Sequence, residues 1–377
     1  MNTNRKKGMF LCFMGILIML HACGEKNTSK DTQEVLTLQK AFSNDFLIGV
    51  AINRQLIEER DSLGVQLLIK EFNAISPENE MKWMNIHPQP DSFYFDISDK
   101  YVALGENNDM FTLGHTLVWH SQLADYMAQT TDSTLMADYL KDHINTIVNR
   151  YKGKIDAWDV VNEALNEDGT LRESVFLKVL GEDYIETAFQ LAASADPDAK
   201  LLYNDYNLCN PEKREGVVRL VKRLQEKGIK IDGVGMQGHW GLTQPSLAEI
   251  EKSIKTYSDL GVKVSITELD ITVLPNPWDL EGAEVSQNFE NSEKMNPYPD
   301  ELPDSVKIQL AQRYKDIFKI FLKHKDNMDR VTFWGINDGN TWLNNWPIRG
   351  RSNYPLLFDR EYLPKKAYDS VLALKAN

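Results

Sequence analysis

Residues 155–163 read Ile-Asp-Ala-Trp-Asp-Val-Val-Asn-Glu, an apolar run that ends in an amide and a carboxyl group. The run has the length of one strand and is rich in β-branched and aromatic residues, so it predicts a buried strand. Segments with helical periodicity lie on both sides of it, at Thr134–Arg150 and Glu173–Ala193. A strand between two helices is the unit of a parallel sheet, because parallel strands need a crossover connection.

The same unit recurs along the chain from about residue 46. Eight apolar runs are predicted strands: Phe46–Ile52, Phe72–Ser76, Met110–Leu117, Ile155–Val161, Lys200–Tyr203, Gly233–Met236, Val262–Ile266 and Arg330–Ile336. Further amphipathic segments are Glu212–Lys227, Leu247–Leu260, Pro303–Lys323 and Lys365–Leu374. Eight strand–helix units favour an α/β fold, a single closed (β/α)8 TIM barrel. An open doubly wound sheet is disfavoured because no Gly-x-Gly-x-x-Gly motif follows the first strand.

Length and composition fit one large globular domain. The 377 residues are 42% hydrophobic and 26% charged, which excludes a multi-span membrane protein, a disordered chain and a fibrous repeat. The formal net charge of −13 argues against a nucleic-acid partner, because affinity for phosphate needs a basic surface. We expect the protein to be a monomer.

The first 22 residues are predicted to be a lipoprotein signal peptide. Arg5, Lys6 and Lys7 precede an apolar segment at residues 9–20 that is short for a membrane span. The chain then reads Leu-His-Ala-Cys-Gly, which is similar to a bacterial lipobox in which Cys23 becomes the lipidated N-terminus. We therefore expect a lipid anchor in the bacterial cell envelope, at the outer-membrane surface or in the periplasm. The alternative is a plain secretory signal and a secreted protein.

Two further segments complete the predicted organisation. Residues 23–40 are polar and are predicted to be a tether, and residues 41–377 form the barrel domain. Residues 274–302 are a long insertion after the seventh strand and are expected to overhang the mouth of the barrel. Cys209 is the only cysteine of the barrel domain, so we expect no internal disulfide.

In a TIM barrel the reactive groups lie at the C-terminal ends of the strands. Polar and aromatic residues follow seven of the eight predicted strands. In strand order they are Glu78, Asn79 and Lys82; His115, Trp119 and Gln122; Asn162 and Glu163; Tyr206; Gln237 and His239; Glu268 and Asp270; and Trp334 and Trp342. A purely structural rim would not need this density of carboxylates, amides, imidazoles and indoles.

Glu163 and Glu268 are the strongest catalytic candidates. Each ends an apolar strand, where a charge is costly unless it is solvated or functional. The fourth and seventh strands lie roughly across the barrel from each other, so the two carboxyl groups can flank a bond placed in the mouth. Such a pair, without metal ligands, suits glycoside hydrolysis. Either residue alone could equally be a solvated rim charge.

The neighbours of Glu268 favour the catalytic interpretation. Residues i and i+2 of a strand face the same side, so Glu268 and Asp270 point inward together, as do Gln237 and His239. His239 is therefore placed to contact both carboxylates. An imidazole held by Asp270 would keep Glu268 ionised, as a nucleophile requires. Asn162 precedes Glu163 and can bind a sugar hydroxyl beside the reacting carbon.

Five ordered motifs resemble glycoside hydrolase family 10, which contains the endo-β-1,4-xylanases. They are Asn-Glu-Met-Lys-Trp at 79–83, Gly-His-Thr-Leu-Val-Trp-His at 114–120, Trp-Asp-Val-Val-Asn-Glu-Ala at 158–164, Gly-Met-Gln-Gly-His at 235–239 and Ile-Thr-Glu-Leu-Asp at 266–270. Phe-Trp-Gly at 333–335 extends a match that runs from about residue 45 to the C-terminus. The resemblance implies an endo-acting, retaining hydrolase of xylan or xylo-oligosaccharides that uses no cofactor and no metal.

The resemblance also implies a role for each site residue. Glu163 would be the acid/base and Glu268 the nucleophile, with Asn162 on the sugar 2-hydroxyl and Gln237 and His239 completing the reacting subsite. The sugar on the non-reducing side would contact Glu78, Asn79, Lys82, His115, Trp119 and Gln122. Three aromatic residues would lie over the sugar chain: Trp334 and Trp342 at the reacting subsite, and Tyr206 stacked on the leaving-group side.

Metal binding is the alternative to sugar binding for the histidines. His115, His120 and His239 lie on the same rim, and histidine is the commonest metal ligand. No further cysteine or aspartate lies at zinc spacing, however, and hydrolysis by two carboxylates needs no metal. The sequence therefore favours sugar binding over metal binding.

Two other functions stay open. The first is a surface glycan-binding lipoprotein on a decayed barrel, which is disfavoured because Glu163, Glu268, His239 and Asp270 are all present. The second is a hydrolase of the same chemistry that acts on cellulose or another β-glucan. Xylose lacks the hydroxymethyl group of glucose, so a site crowded by aromatic residues is expected to exclude glucose sterically.

Overall fold

The computed structural model describes residues 36–277, 279–280 and 282–376. The predicted signal peptide, Cys23 and residues 23–35 of the predicted tether lie outside these residues. None of the helices within the described ranges is both long and apolar enough to cross a membrane.

Eight parallel strands form a closed barrel. The eight barrel strands are β1 Leu47–Ile52, β2 Ala74–Pro77, β3 Phe111–Trp119, β4 Ala157–Asn162, β5 Lys200–Asp205, β6 Gly233–Met236, β8 Lys263–Thr272 and β9 Met328–Phe333, and a short additional strand is β7 His239–Gly241. The strands β1 to β6 pair in sequence, β9 joins β1 to β8, and β8 closes the ring on β6. β7 lies outside the ring and pairs with the end of β8. The predicted single (β/α)8 barrel is confirmed.

Helices separate the successive strands and cover the barrel. They are α1 Leu38–Ala41, α2 Arg54–Ile57, α3 Ser62–Glu71, α4 Trp83–Ile86, α5 Asp96–Asn107, α6 Asp125–Ala128, α7 Ser133–Arg150, α8 Val175–Leu180, α9 Tyr184–Ala195, α10 Pro211–Glu226, α11 Leu247–Ser258, α12 Asp304–Lys323 and α13 Lys366–Leu372. Asp132 caps α7 by accepting from two backbone N–H groups, and Ser246 caps α11. These short polar side chains fix where the helices begin.

The barrel interior is divided into two layers. Leu113, Ala157 and Leu202 form a small apolar cluster inside the ring. Two residues further along the same three strands, on the same face, lie His115, Asp159 and Asn204. An apolar floor therefore supports a polar layer at the C-terminal end. The much larger core lies outside the ring, between the strands and the helices.

Two predicted boundaries are wrong. The segment Glu173–Ala193 is not one helix, because Gly181 adopts φ 75° and separates α8 from α9. Residues 36–40, which the polar composition assigns to the tether, belong to the folded body. Leu38 is completely buried there, and its N–H donates to Glu71 Oε2 at 2.9 Å.

The insertion at residues 274–302 packs on the chain that follows β9. The Phe289 N–H donates to Pro347 O at 2.9 Å, and Arg351 donates to Pro275 O at 2.9 Å. Leu302, at the end of the insertion, is buried. The insertion is thus held beside the mouth of the barrel. This is the position predicted from its place after the seventh barrel strand, which is β8.

Candidate active site

A cavity of about 370 Å³ opens at the C-terminal ends of the strands. All the site residues predicted from the sequence line it, except Asp270 and Tyr206. Four further lining residues come from the insertion and from the chain after β9: Ala283, Val285, Asn345 and Trp346. The strand-end rule of parallel barrels thus brings residues from seven segments of the chain to one cleft.

Glu268, in β8, is held by two donors. Its Oε1 accepts from Asn204 Nδ2 at 2.9 Å, and its Oε2 lies 3.2 Å from His239 Nε2. On the other side of the imidazole, His239 Nδ1 lies 3.0 Å from Asp270 Oδ1. The predicted contact of His239 with both carboxylates is therefore present. It depends on β7, which places His239 directly opposite Asp270.

The charges of Glu268, His239 and Asp270 stabilise one another. Burial opposes ionisation of Glu268, but the hydrogen bond from His239 and the charges of His115 and His239 outweigh it, so the Glu268 pKa is lowered. Burial likewise opposes protonation of His239, but Asp270 and Glu268 raise the His239 pKa to about 10. At neutral pH Glu268 is a carboxylate, and the His239 imidazolium donates to it and to Asp270.

Glu163, directly after β4, has the opposite environment. Its carboxyl group contacts three neutral donors: Trp119 Nε1 at 2.7 Å, Gln237 Nε2 at 2.9 Å and Asn162 Nδ2 at 3.3 Å. Burial is the largest influence and raises the Glu163 pKa, against the opposing effects of the His120 charge and of the hydrogen bonds. Of Glu163 and Glu268, Glu163 is therefore the one that keeps its proton more readily.

The two carboxyl groups are linked through two amides, Asn162 on the side of Glu163 and Asn204 on the side of Glu268, and Asn204 has no role assigned from the sequence. Asn204 Nδ2 donates to Asn162 Oδ1 and to Glu268 Oε1, both at 2.9 Å, and its Oδ1 accepts from Thr267 at 2.6 Å. Asn204 pairs with Asn162 in the β4–β5 register. Because paired residues of neighbouring strands face the same side, the register of these strands is the signal that could have found it.

A group of polar residues after β2 lies in the same cleft. Lys82 Nζ donates to Asn79 Oδ1 at 3.0 Å and lies 5.0 Å from the centre of the Trp119 ring. Burial lowers the Lys82 pKa, although nearby carboxylates oppose this. Burial raises the Glu78 pKa to about 7, against the opposing charge of Lys82. Together these groups offer both donors and acceptors to sugar hydroxyls.

Indole rings cover the cleft above His239. Trp342 Nε1 donates to Asp270 Oδ2 at 2.8 Å, and the Trp342 ring stacks on Trp346 with centroids 4.4 Å apart. The Trp334 ring meets His115 edge-on at 5.5 Å. Trp342 thus restrains the Asp270 carboxylate and also presents an aromatic surface to the cavity.

Two aromatic residues predicted to contact the sugar chain, Trp119 and Tyr206, are largely buried. Trp119 is only 6% exposed, and its indole nitrogen holds Glu163, so it acts as a donor to the carboxyl group rather than as an open platform. Tyr206 is 4% exposed, and Lys213 Nζ lies 3.7 Å from the centre of its ring. Its hydroxyl accepts from Arg172 at 2.6 Å. Tyr206 also lines a second cavity beside the cleft, together with Arg172 and Glu284, so its stacking on a sugar stays a prediction.

The histidines considered as metal ligands have separate partners. His115 Nδ1 lies 2.9 Å from Asp159, and His120 Nε2 lies 3.3 Å from Glu284. His239 is held by its own two carboxylates. Across the described ranges, no three His, Cys, Asp or Glu residues are grouped so that they could hold a metal ion.

Several proteins are similar in sequence to this chain over nearly its whole length. Endo-1,4-beta-xylanase A of Xylanibacter ruminicola is 42% identical over 343 residues, which cover 90% of this chain and 93% of that protein. The Beta-1,4-xylanase of Dictyoglomus thermophilum is 41% identical over 95% of this chain and 96% of its own. A solved GH10 endoxylanase from a sugarcane soil metagenome superimposes with a TM-score of 0.86 at 45% identity, covering 89% of this chain and 99% of that one.

The family-level match agrees with these relatives. The model of glycosyl hydrolase family 10 matches residues 37–374, a range that contains the barrel, both carboxyl groups and the insertion. The match begins at Thr37, the residue before α1. The chain therefore belongs to glycosyl hydrolase family 10.

Proposed function

We propose that this protein is an endo-1,4-β-xylanase that cleaves internal β-1,4 bonds of xylan with retention of anomeric configuration. The family membership and the names of the relatives support the substrate. The single observation that carries the mechanism is the contrast between the donors of two carboxyl groups in one cleft, since the His239 imidazole contacts Glu268 whereas an indole and two amides contact Glu163. Carboxyl groups whose environments push their pKa values apart divide the work of acid and nucleophile.

In the first step Glu163 acts as the acid. Its carboxylic acid gives its proton to the glycosidic oxygen while Glu268 forms a bond to the anomeric carbon from the opposite face. The bond between that carbon and the leaving oxygen breaks, and the shortened xylan chain leaves with a hydroxyl group. The product of this step is a glycosyl ester of Glu268 and an ionised Glu163.

In the second step Glu163 acts as the base. It takes a proton from a water molecule, the water oxygen bonds to the anomeric carbon, and the ester bond to Glu268 breaks. Two inversions at one carbon restore the original β configuration. Glu268 leaves as a carboxylate, which the His239 imidazolium and Asn204 stabilise through the hydrogen bonds described above.

The surroundings of Glu268 favour a nucleophile over a base. In an inverting enzyme the second carboxylate must take a proton from water, and a carboxylate with a lowered pKa is a weak base. Both Glu268 oxygens already accept hydrogen bonds from neighbouring side chains, which fixes the direction in which the carboxylate points. A fixed, ionised oxygen suits attack on carbon and supports the retaining mechanism.

The test compares two polysaccharides. Release of reducing ends from β-1,4-xylan and from carboxymethyl-cellulose is measured with the purified protein and with its Glu268→Ala variant. Release from xylan alone, abolished by the substitution, is the expected result. Release from cellulose would keep the chemistry and change the substrate. Binding of xylan by the folded protein, with no release from either polymer, would contradict the enzymatic proposal and favour the glycan-binding alternative.

We also propose that the protein is exported and lipid-anchored. The basic start, the short apolar segment and the lipobox-like residues before Cys23 support this. Growth of an expressing bacterium with an azide-tagged fatty acid tests it. Label on the full-length chain and none on its Cys23→Ser variant is expected, whereas secretion of an unlabelled native chain would contradict the anchor.

A further inference from the structure

One arginine joins the insertion to the acid/base residue. Arg172 Nε donates to the backbone carbonyl of Glu163 at 3.0 Å, and its other two nitrogens donate to Glu284 at 2.9 Å and to the Tyr206 hydroxyl at 2.6 Å. We propose that Arg172, locked by Glu284 of the insertion, is a positioning residue that holds Glu163 where it can protonate the leaving-group oxygen. The inference rests on the proposed function and adds to it.

The backbone of Glu163 needs such support. Glu163 adopts φ 57°, in the left-handed region that a residue with a side chain rarely occupies. Its N–H group continues the sheet by donating to Asn204 O at 2.9 Å, but its carbonyl lies beyond the end of β4. The Arg172 guanidinium holds that carbonyl from the other side. Conformations of this kind persist only where the surroundings fix them, and they cluster at active sites.

Arg172 in turn depends on the insertion. Its side chain is 18% exposed, and Glu284 is the one carboxylate of the described chain that forms an ion pair with it. The hydrogen bond from His120 and the charges of His120 and Arg172 lower the Glu284 pKa to about 2, against the effect of burial. Glu284 is therefore ionised at any pH at which the enzyme would work. A guanidinium is also permanently charged, so the bridge does not depend on pH.

The segment that carries Glu284 is itself fixed. The Glu284 carbonyl accepts from Trp346 Nε1 at 3.2 Å. Gly282 lies so close to Tyr206 that a Cβ atom there would come within 2.5 Å of the tyrosine ring. Ala283 and Val285, the residues on either side of Glu284, line the same cavity as Glu163. The ion pair is thus tied to a segment that forms part of the cleft wall, and Arg172 and Glu284 line an adjoining cavity together with Tyr206.

Two aryl xylobiosides that fill the same sugar subsites but differ in leaving group separate the acid step from sugar binding. A phenolate is basic and needs the proton from Glu163, whereas a dinitrophenolate leaves without one. The kcat/KM of phenyl β-xylobioside and of dinitrophenyl β-xylobioside is measured for the native protein and for Arg172→Met and Glu284→Gln. Glu301→Gln is the matched control, because Glu301 is also in the insertion and pairs with Lys307 at 2.6 Å.

The expected signature is a selective loss. Arg172→Met lowers kcat/KM for phenyl β-xylobioside about tenfold to a hundredfold, the range that a small misplacement of a catalytic group causes, and leaves the dinitrophenyl substrate within about twofold. Glu284→Gln shows the same selectivity with a loss of about threefold to tenfold, because Arg172 keeps its other two acceptors. Glu301→Gln changes neither value.

Other outcomes overturn the inference. Equal losses on both substrates would show that Arg172 and Glu284 support the whole site rather than the acid. No loss on either substrate would show that Glu163 keeps its place without them. If Arg172→Met fails to fold, as thermal unfolding would report, the milder Glu284→Gln variant carries the test. A native protein that cleaves neither substrate would contradict the proposed function itself, which is a distinguishable result.

Discussion

Glu163 and Glu268 are equally buried, yet their pockets differ in charge. Each residue is 5% exposed, with Glu163 directly after β4 and Glu268 within β8. Glu268 faces an imidazolium that two carboxylates stabilise, whereas the carboxyl group of Glu163 faces an indole and two amides. The pKa of Glu268 is lowered and that of Glu163 is raised. Burial acts in the same direction on both residues, so it cannot be the cause of their difference.

The comparison shows that the charge of the donors assigns the two roles. A neutral donor stabilises a carboxylate less than a cationic donor does, because charge-assisted hydrogen bonds are about twice as strong. His239 remains a cation because Asp270 holds its other nitrogen. Among the hydrogen bonds of the described residues, none joins a cationic side chain to the carboxyl oxygens of Glu163.

The largest expected effect is the loss of the nucleophile. Glu268→Ala is expected to lower kcat by about 10⁴-fold or more on both xylohexaose and dinitrophenyl β-xylobioside, because no bond to the anomeric carbon can form. Added azide can replace the missing carboxylate and should yield an α-xylobiosyl azide from the dinitrophenyl substrate. A β azide would show that Glu268 is the acid/base rather than the nucleophile, and would exchange the roles of the two carboxyl groups.

Loss of the acid is expected to be smaller and selective. Glu163→Ala removes a contribution of about 10²- to 10⁴-fold from kcat/KM for xylohexaose, the usual range for general acid catalysis. The kcat/KM of dinitrophenyl β-xylobioside should stay close to the native value, since that leaving group needs no proton. Azide should now yield the β azide through the intact Glu268. An equal loss on both substrates would remove the distinction between the two carboxyl groups.

A change at His239 tests the cationic side of the comparison. His239→Asn removes the imidazolium, so the carboxylate of Glu268 is less stabilised and its pKa rises. At a given acidic pH less Glu268 is then ionised, and the acidic limb of kcat/KM moves to higher pH by about one unit. The alkaline limb, which reports the Glu163 proton, should stay in place. A shift of the alkaline limb alone would contradict the assignment of His239 to Glu268.

A change at Trp119 tests the neutral side and has the smallest expected effect. Trp119→Phe removes one donor to Glu163, so its pKa rises further and its proton is kept to higher pH. The alkaline limb of kcat/KM should move upward by about half a unit. Trp83→Phe is the matched control, because the Trp83 indole donates to Tyr126 at 2.8 Å and to neither carboxyl group. Equal profiles for both variants would show that the Trp119 hydrogen bond does not tune Glu163.

The parts of the site that lie on strands could be predicted from the sequence. The side chain of every second strand residue faces inward, so the inward position of Glu268 and Asp270 followed from their spacing of two. The same rule placed Gln237 beside His239. The barrel itself followed from the alternation of apolar runs and helical segments, because only a closed ring buries eight parallel strands without an edge.

The contacts between distant segments could not be predicted. Arg172 and Glu284 are 112 residues apart, and nothing in either local sequence indicates that they pair. Trp119 and Tyr206 both lie at strand ends, but whether an aromatic ring is open or covered depends on what packs against it. For Tyr206 the covering groups come from α10 and from the insertion. Composition likewise failed at residues 36–40, where Leu38 is buried despite its polar neighbours.

The stereochemistry of the first products tests the division of roles most directly. Xylohexaose is cleaved in an NMR tube, and the anomeric proton signals of the new reducing ends are recorded before the sugars mutarotate. A nucleophilic Glu268 and an acid/base Glu163 predict that the β anomer appears first and that the α anomer grows later by mutarotation. Initial formation of the α anomer would show a single displacement by water and would contradict the account.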